Sequence, residues 1–187
     1  NSEGSILRKS EKLALSALLT AIGIVLRSFA IIIVPGFIEL SPGILVPYLA
    51  GILLGWWTGA IVGGLIGLLG GFIGGGDVFL TASINGVSAA VTSIPLYVTN
   101  FKDYDPRTTA LPFRVKLLCW LSAWLSEIYC LGYFVFVFGL SLYAALPILS
   151  LDIIQVQFLW VTTALLIVSF IERSIGGRGS AHHTNRL

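Results

Sequence analysis

Charged residues are scarce in this sequence. They make up 11% of its 187 residues, whereas hydrophobic residues make up 56%. A soluble domain has roughly 25% charged residues, so this composition excludes a soluble domain of any size. Because a membrane helix needs about 20 apolar residues, the length allows six spans with short loops. We therefore predict an integral membrane protein.

The signatures of common catalytic and nucleotide sites are also missing. The sequence contains no P-loop, no HExxH motif and no GxSxG motif. Cys119 and Cys130 lie in one apolar segment without CxxC spacing and are expected to be buried thiols. His182 and His183 lie in the polar C-terminal tail. We expect no cofactor, no metal site, no enzymatic activity and no nucleic-acid partner.

Glycine, in contrast, is abundant and regularly spaced. It stands at every fourth position from residue 51 to residue 75, and the residues between are almost all apolar. Glycine at i and i+4 lets a second backbone approach closely, as it does in packed membrane helices. The pattern predicts a densely packed membrane core. A surface that glides against lipid or contacts a ligand is the alternative.

Proline, glycine and polar clusters divide the chain into six predicted helices. These cover residues 13–34, 43–54, 58–73, 78–98, 112–138 and 151–171. Ser41 and Asp77 are expected to cap the second and fourth helices, and Pro147 is assigned to the loop before the sixth. The predicted fold class is an all-α integral membrane bundle of six transmembrane helices. Residues 1–175 form this single domain, and residues 176–187 form a disordered tail.

The basic residues decide whether residues 43–73 form one helix or two. Cytoplasmic ends of membrane helices are enriched in Lys and Arg. With two helices, all of the 11 basic residues except Arg27 lie on the cytoplasmic side. With one helix, the basic segment 102–116 would lie outside. We therefore predict six spans in the cell membrane, with both termini in the cytoplasm.

Two charged residues are expected inside the bilayer. At 1.5 Å per residue, Arg27 lies roughly 22 Å along its helix from Lys12, and Glu127 lies roughly 17 Å from Lys116. A charge near the membrane centre costs about 3 kcal/mol or more, so such residues normally face the bundle interior and have partners. Arg27 and Glu127 are therefore either a structural ion pair or contacts of a ligand cavity.

Other polar residues at the same depth favour the cavity. Asn85 lies on a polar stripe of the fourth helix, Trp124 shares a face with Glu127, and Gln155 lies on the sixth helix. A few placed polar groups with aromatic walls are typical of a ligand pocket. Because acidic groups outnumber Arg27, we expect a neutral, zwitterionic or amine-bearing ligand rather than a dianion.

The first helix carries small residues at helical spacing. Ala14, Ala17 and Ala21 lie on it, and Ala17 and Ala21 form a small-xxx-small motif. Such motifs let a second membrane helix dock closely. We therefore expect this helix to contact a partner protein in the bilayer.

Several of these features resemble the substrate-binding S components of energy-coupling factor (ECF) vitamin transporters. The size, the six helices, the cytoplasmic N-terminus and the alanine motif of helix 1 fit that family. Residues 49–64 (LAGILLGWWTGAIVGG) resemble its helix 2–3 hairpin. The resemblance covers residues 13–95.

The resemblance implies a function. S components bind a vitamin or a precursor in the outer half of the bundle, so residues 36–40, with Glu39, would cover a cavity that contains Asn85, Glu127 and Gln155. Helix 1 would dock on a transmembrane coupling protein driven by two cytoplasmic ATPases. The S component would topple in the membrane to release its cargo. Acidic residues typical of thiamine and riboflavin binders are absent from the corresponding positions.

Two other functions remain open. The chain is alternatively a stand-alone channel or facilitator in which the glycines line a path. It is also a candidate membrane-embedded enzyme that uses Glu127 with Asp77 or Asp152 as a carboxylate pair. No nucleophile or metal-ligand set accompanies these acids, which argues against the enzyme.

Overall fold

A computed structural model describes residues 9–34, 38–74, 77–102 and 104–180, except for the side chains at positions 32, 34, 38, 39, 74 and 176–180. The architecture is helical. The α-helices are α1 (Lys9–Arg27), α2 (Leu45–Leu54), α3 (Trp56–Gly74), α4 (Val78–Val98), α5 (Phe113–Ser122), α6 (Trp124–Phe136), α7 (Leu142–Ile153) and α8 (Thr162–Ser180). A 3₁₀ turn (Pro42–Ile44) leads into α2, and a π-helix (Ile154–Val161) joins α7 to α8. A short antiparallel hairpin, β1 (Ile31–Val34) and β2 (Ile38–Leu40), follows α1.

Four helical segments are long and apolar enough to cross a membrane. They are Trp56–Ile73, Val78–Val98, Phe113–Phe136 and Leu142–Ile175. The apolar helix Pro42–Leu54 is shorter, and α1 is more polar because it carries four charged residues: Lys9, Glu11, Lys12 and Arg27. The helical fold class is thus confirmed, whereas the six-span arrangement stays a prediction.

The structure confirms two helices in the glycine-rich region. α2 ends at Leu54 and α3 begins at Trp56, with Gly55 between them at φ 83° and ψ 174°. Residues with a side chain rarely adopt this conformation. Gly55 therefore sets the reversal that the distribution of basic residues required.

The glycines of α3 pack against the backbone of α4. A Cβ at Gly63, Gly67 or Gly71 would lie less than 3.0 Å from backbone atoms of α4, and one at Gly59 would lie 2.7 Å from the Cα of Gly51. All of these glycines are buried. The packing interpretation is therefore right, and these glycines are not a gliding surface, because α2 and α4 cover them.

The first predicted helix is shorter than the sequence suggested. α1 ends at Arg27 instead of residue 34, and Ile31–Val34 pairs with Ile38–Leu40. The β-branched residues of this segment favour a strand. The predicted lid, residues 36–40, therefore consists in part of β2, and residues 36 and 37 lie outside the described part of the chain.

The last helical region begins earlier than predicted. α7 starts at Leu142 instead of residue 151, so Pro147 lies inside a helix and not in a loop. In an apolar environment, any backbone that leaves the helix must find new hydrogen-bond partners, and this outweighs the one hydrogen bond that proline lacks. As a result, Asp152 lies within a continuous helical run rather than at an outer helix end.

The last helix also ends later than predicted. α8 continues to Ser180, so residues 176–180, which we assigned to a disordered tail, are helical. Extending an existing helix costs far less than nucleating one. Residues 181–187, with His182 and His183, lie outside the described residues.

Several local predictions are confirmed. Ser41 Oγ accepts a hydrogen bond from Gly43 N at 3.3 Å, and Asp77 Oδ1 accepts one from Leu80 N at 2.6 Å. Helix α4 has the predicted bounds, 78–98. Both cysteines are buried free thiols. Side-chain capping needs only neighbouring residues, which explains why sequence was sufficient here.

Candidate functional site

Two of the long helical regions depart from regular α-helical geometry at the same level. The break between α5 and α6 falls at Ala123, and the neighbouring segment Ile154–Val161 is a π-helix. Gln157 connects them: in the amide orientation that satisfies both neighbours, it donates to Trp120 O at 3.2 Å and accepts from Trp124 N at 3.0 Å. π-Helical turns are frequent at functional sites. This junction is therefore a candidate functional site.

The Trp120 indole holds the junction together from the other side. Its Nε1 donates to the Gln157 carbonyl at 3.1 Å and to Thr162 Oγ1 at 3.3 Å. Thr162 Oγ1 donates to the same carbonyl at 2.9 Å. The main-chain carbonyl of Gln157, which lies in the π-helix, thus accepts its hydrogen bonds from side chains. Buried backbone groups need such partners.

Polar side chains, four of them buried and one half-buried, gather beside this junction. Glu127 lies on α6, one turn past the break, and Asp152 lies on α7, just before the π-helix. The hydroxyl of Tyr48 on α2 donates to Ser88 Oγ on α4 at 3.4 Å and interacts electrostatically with both acids. Ser126 is buried near Tyr48 and Glu127, and its hydroxyl donates to Ala123 O at 2.6 Å. We call these five residues the polar cluster.

The two acids of the polar cluster contact each other. The carboxyl groups of Glu127 and Asp152 are within hydrogen-bonding reach. Glu127 is only 3% exposed, and its Oε2 accepts no hydrogen bond from the residues that the structure describes. Among the described residues, no basic side chain acts on either carboxyl. Because acids inside a bundle normally have a cationic partner, this pair is a candidate site for a cationic group.

Three further predicted site residues flank the polar cluster. Asn85 is buried on the α4 face that carries Ser88, and its Nδ2 donates to Thr81 O at 2.7 Å. Gln155 is buried in the π-helix. Trp124 is 37% exposed, and its ring packs edge-on against Trp120 with centroids 6.4 Å apart. Asn85 and Gln155 therefore lie on the inner side, and Trp124 lies at the edge.

Arg27 does not pair with Glu127. Its buried side chain passes between Gly43 and Gly70, where a Cβ on either glycine would overlap it. α1 packs on α2 and α3, whereas α6 packs on α4 and α7. The two charged residues are therefore apart despite their similar predicted depth in the membrane. The alternative of a structural ion pair between Arg27 and Glu127 is wrong. The side chain of Glu39 lies outside the described residues, so its predicted role stays a prediction.

The alanines of helix 1 lie on an outer face. Ala14, Ala17 and Ala21 are all exposed, and large apolar side chains beside them, Leu18 and Val25, are more than half exposed. No described element covers this face. It is sterically open to a partner helix, as the small-xxx-small motif predicts.

A second polar group fixes the basic parts of the chain to one another. Glu172 on α8 accepts hydrogen bonds from Tyr104 Oη and Leu111 N, each at 2.8 Å, and from Lys116 Nζ on α5 at 2.5 Å. Burial and the neighbouring Glu172 raise the pKa of Tyr104. Glu172 is roughly 25 Å along the helix from Gln155 at 1.5 Å per residue, so this group is separate from the polar cluster.

An ion pair extends this second group to the N-terminal helix. Arg107 Nη2 lies 3.2 Å from Glu11 Oε2 on α1, and Arg107 Nε lies 3.2 Å from Asp105 Oδ1. The start of α1, the 104–116 segment and the last turns of α8 therefore lie at the same end of the protein. If an even number of membrane spans separates these segments, they must lie at the same end, as they do here.

A surface groove of about 240 Å³ lies elsewhere, between α3 and α4. It is lined by Trp56, Ala90, Ile94, Tyr97 and Val98. These side chains offer almost no polar groups, so the groove lacks the contacts that would orient a water-soluble ligand. The polar cluster remains the better candidate.

Sequence reasoning missed two residues of this region, Tyr48 and Gln157, and named Asp152 only as a possible catalytic partner of Glu127. Tyr48 is the one residue of α2 that carries a polar side chain, and that isolation was a usable signal. Asp152 was placed at a helix end because Pro147 suggested a loop. Gln157 gave no signal, since its role depends on a helix break in another part of the chain.

Comparison of the chain with protein-family models, with curated proteins and with solved structures found no match. The function must therefore be argued from the site itself. Within the described part of the chain, no three His, Cys, Asp or Glu side chains come together as a metal site.

Proposed function

We propose that this chain is a membrane-embedded substrate-binding subunit that captures a small water-soluble compound, such as a vitamin or precursor, for ATP-driven uptake. The observation that carries this proposal is the polar cluster: five polar side chains from α2, α4, α6 and α7, enclosed in an otherwise apolar bundle at the level of two interrupted helices. Broken helices next to buried polar groups are a recurring design of substrate sites in membrane transport proteins.

The proposed topology has six spans in the plasma membrane and both termini in the cytoplasm. In addition to the four long apolar helices, α1 and α2 would complete the bundle. The ion pair of Arg107 with Glu11 supports this arrangement, because it joins the N-terminal helix to the basic 104–116 segment. Basic residues at that end favour the cytoplasmic side. The polar cluster then faces the outer half.

The proposed partners are a transmembrane coupling protein and two cytoplasmic ATPases. The support is the exposed alanine face of α1, which is open to a helix from another chain. A binding subunit of this kind holds its ligand without moving it, so it needs a separate source of energy. The resemblance to ECF S components suggests the same division of labour.

A stand-alone channel is a weaker candidate. In that hypothesis the glycines line a path, but Gly63, Gly67 and Gly71 are in close contact with α4. The contact between Glu127 and Asp152 favours the enzyme hypothesis more than the sequence did. The pair nevertheless lies among hydroxyl groups and aromatic rings that suit contacts to a bound ligand, so we favour ligand binding.

Two measurements test the proposed function. Native mass spectrometry of the purified protein should find a co-purifying small molecule, and Glu127→Gln should weaken its binding. Glu11→Gln is the matched control, because it removes an exposed carboxylate at the opposite end. Uncoupled flux in liposomes that contain this chain alone would contradict the proposal and favour a channel.

The topology has its own test. A single cysteine introduced at Lys102, an exposed position in the loop after α4, should react with a membrane-permeant maleimide and not with an impermeant one added to whole cells. Labelling from outside would place the basic segment on the wrong side and overturn the topology.

A further inference from the structure

The acid pair of the polar cluster determines which functional group of a ligand would complement the site. Glu127 is buried, with an Oε2 that accepts no hydrogen bond from the described residues, and Asp152 is its nearest charged neighbour. In the part of the chain that the structure describes, no Arg or Lys side chain acts on either carboxyl. Tyr48, Ser126 and Cys130 are the other titratable or hydroxyl groups that face the pair. The site therefore has acceptors and negative charge but no cation.

We propose that Glu127 and Asp152 together bind a cationic nitrogen of the ligand, an ammonium or amidinium group held between the two carboxyls. This inference rests on the proposed function and narrows its ligand class to amines. Asp152, which the sequence indicated only as a possible catalytic partner of Glu127, becomes a specificity-determining residue. Charge-assisted hydrogen bonds of N–H donors to carboxylates are among the strongest polar contacts in proteins, and burial makes them stronger still.

Binding of an ammonium group would replace the proton that Glu127 and Asp152 share, so that protons and charge balance. Two carboxyl groups can hydrogen-bond each other only when one carries a proton. When an ammonium group enters, that proton leaves to solvent and the carboxyl becomes a carboxylate. The nitrogen then donates one hydrogen bond to each acid. Binding therefore releases one proton for each amine bound, and the site keeps the same net charge.

The geometry favours an organic cation over a bare metal ion. Sodium requires several oxygen ligands close around it, whereas an ammonium group is satisfied by two or three acceptors in fixed directions. Trp120 and Trp124 lie one to two turns before Glu127 on the same helical region. They offer an aromatic wall for the uncharged part of such a ligand.

The experiment uses two water-soluble pairs that differ in an amine and a hydroxyl: pyridoxamine with pyridoxine, and tyramine with tyrosol. Affinities are measured by calorimetry on the full chain in detergent, in two buffers of different ionisation enthalpy. The variants are Asp152→Asn and Glu127→Gln, with Glu11→Gln as the matched control. A sodium series against choline chloride tests the metal ion.

The expected result is that the amine of at least one pair binds about tenfold more tightly than its alcohol, with about one proton released. Both site variants should abolish this preference, and Glu11→Gln should keep it. The preference in the unsubstituted chain does not depend on any variant folding. Equal or tighter binding of the alcohols, a preference that persists in Asp152→Asn, or a sodium response that Asp152→Asn removes would each overturn the inference.

The same data distinguish a failure of this inference from a failure of the proposed function. If the co-purifying molecule has no cationic nitrogen, the amine assignment fails and the binding subunit stands. If no molecule co-purifies and no probe binds, both fail.

Discussion

The tight contact between α3 and α4 gives the sharpest stability prediction. A Cβ at Gly67 would lie 2.7 Å from Ala82 Cα and closer still to the Thr81 carbonyl, so the backbone of α4 must move to accept Gly67→Ala. At Gly64, three residues away, the nearest atom is Ala82 O at 3.8 Å. Gly64→Ala is therefore a matched control in the same helix.

The two substitutions should have opposite effects. Replacing a helical glycine by alanine normally stabilises by about 1 kcal/mol, and Gly64→Ala should gain up to this amount. Overpacking a close contact costs about 1–3 kcal/mol, and Gly67→Ala should lose this amount. The two variants should therefore differ by roughly 2–4 kcal/mol in the free energy of unfolding.

The assay is reversible unfolding in mixed micelles with increasing SDS, followed by the fluorescence of the five tryptophans. Gly132→Ala provides a second reference, because nothing lies within 4 Å of a Cβ at that position. Equal midpoints for the Gly67 and Gly64 variants would refute the close packing of α3 on α4, and with it the interpretation of the glycine ladder as a packed interface.

Three further predictions follow from the second polar group and from α1. Glu172→Gln should lower the free energy of unfolding by about 1–3 kcal/mol, because it leaves a half-buried Lys116 without its charged partner, whereas Glu11→Gln should change it little. The pKa of Tyr104 is raised in the folded state, so the stability it contributes is complete below about pH 10 and is lost as the pH rises. Tyr104→Phe should flatten this alkaline loss in unfolding curves, and an unchanged slope would contradict it. Ala17→Leu should leave the unfolding midpoint unchanged but prevent co-purification with the proposed coupling protein; retained complex would exclude this face as the docking site.

Local signals predicted much of the fold. The bounds of α4, the Asp77 cap and the separation of α2 from α3 all depend on residues close in sequence or on the placement of basic residues. The hairpin after Arg27 was missed, since an apolar β-branched run fits a buried helix or a strand equally well by periodicity. Pro147 was misassigned because proline ends helices in water more reliably than in an apolar environment.

The candidate site was predicted only in part. Asn85, Glu127 and Gln155 were found because a polar residue in an apolar helix is costly and needs a reason. Asp152 was named as a partner of Glu127 only in the enzyme alternative, because helical depth suggested Arg27, which in the structure lies between Gly43 and Gly70. Gln157 gained its role only from the break at Ala123.

The sequence by itself determined that the chain is apolar and helical, that a glycine-dense segment packs closely, and that a few polar groups are held within it. These properties depend on composition and on short spacings. Only the tertiary structure decided which polar groups meet: it placed Asp152 against Glu127 and kept Arg27 away. Helical periodicity fixes the level and the face of a residue on its own helix, whereas its neighbours depend on which helices pack together.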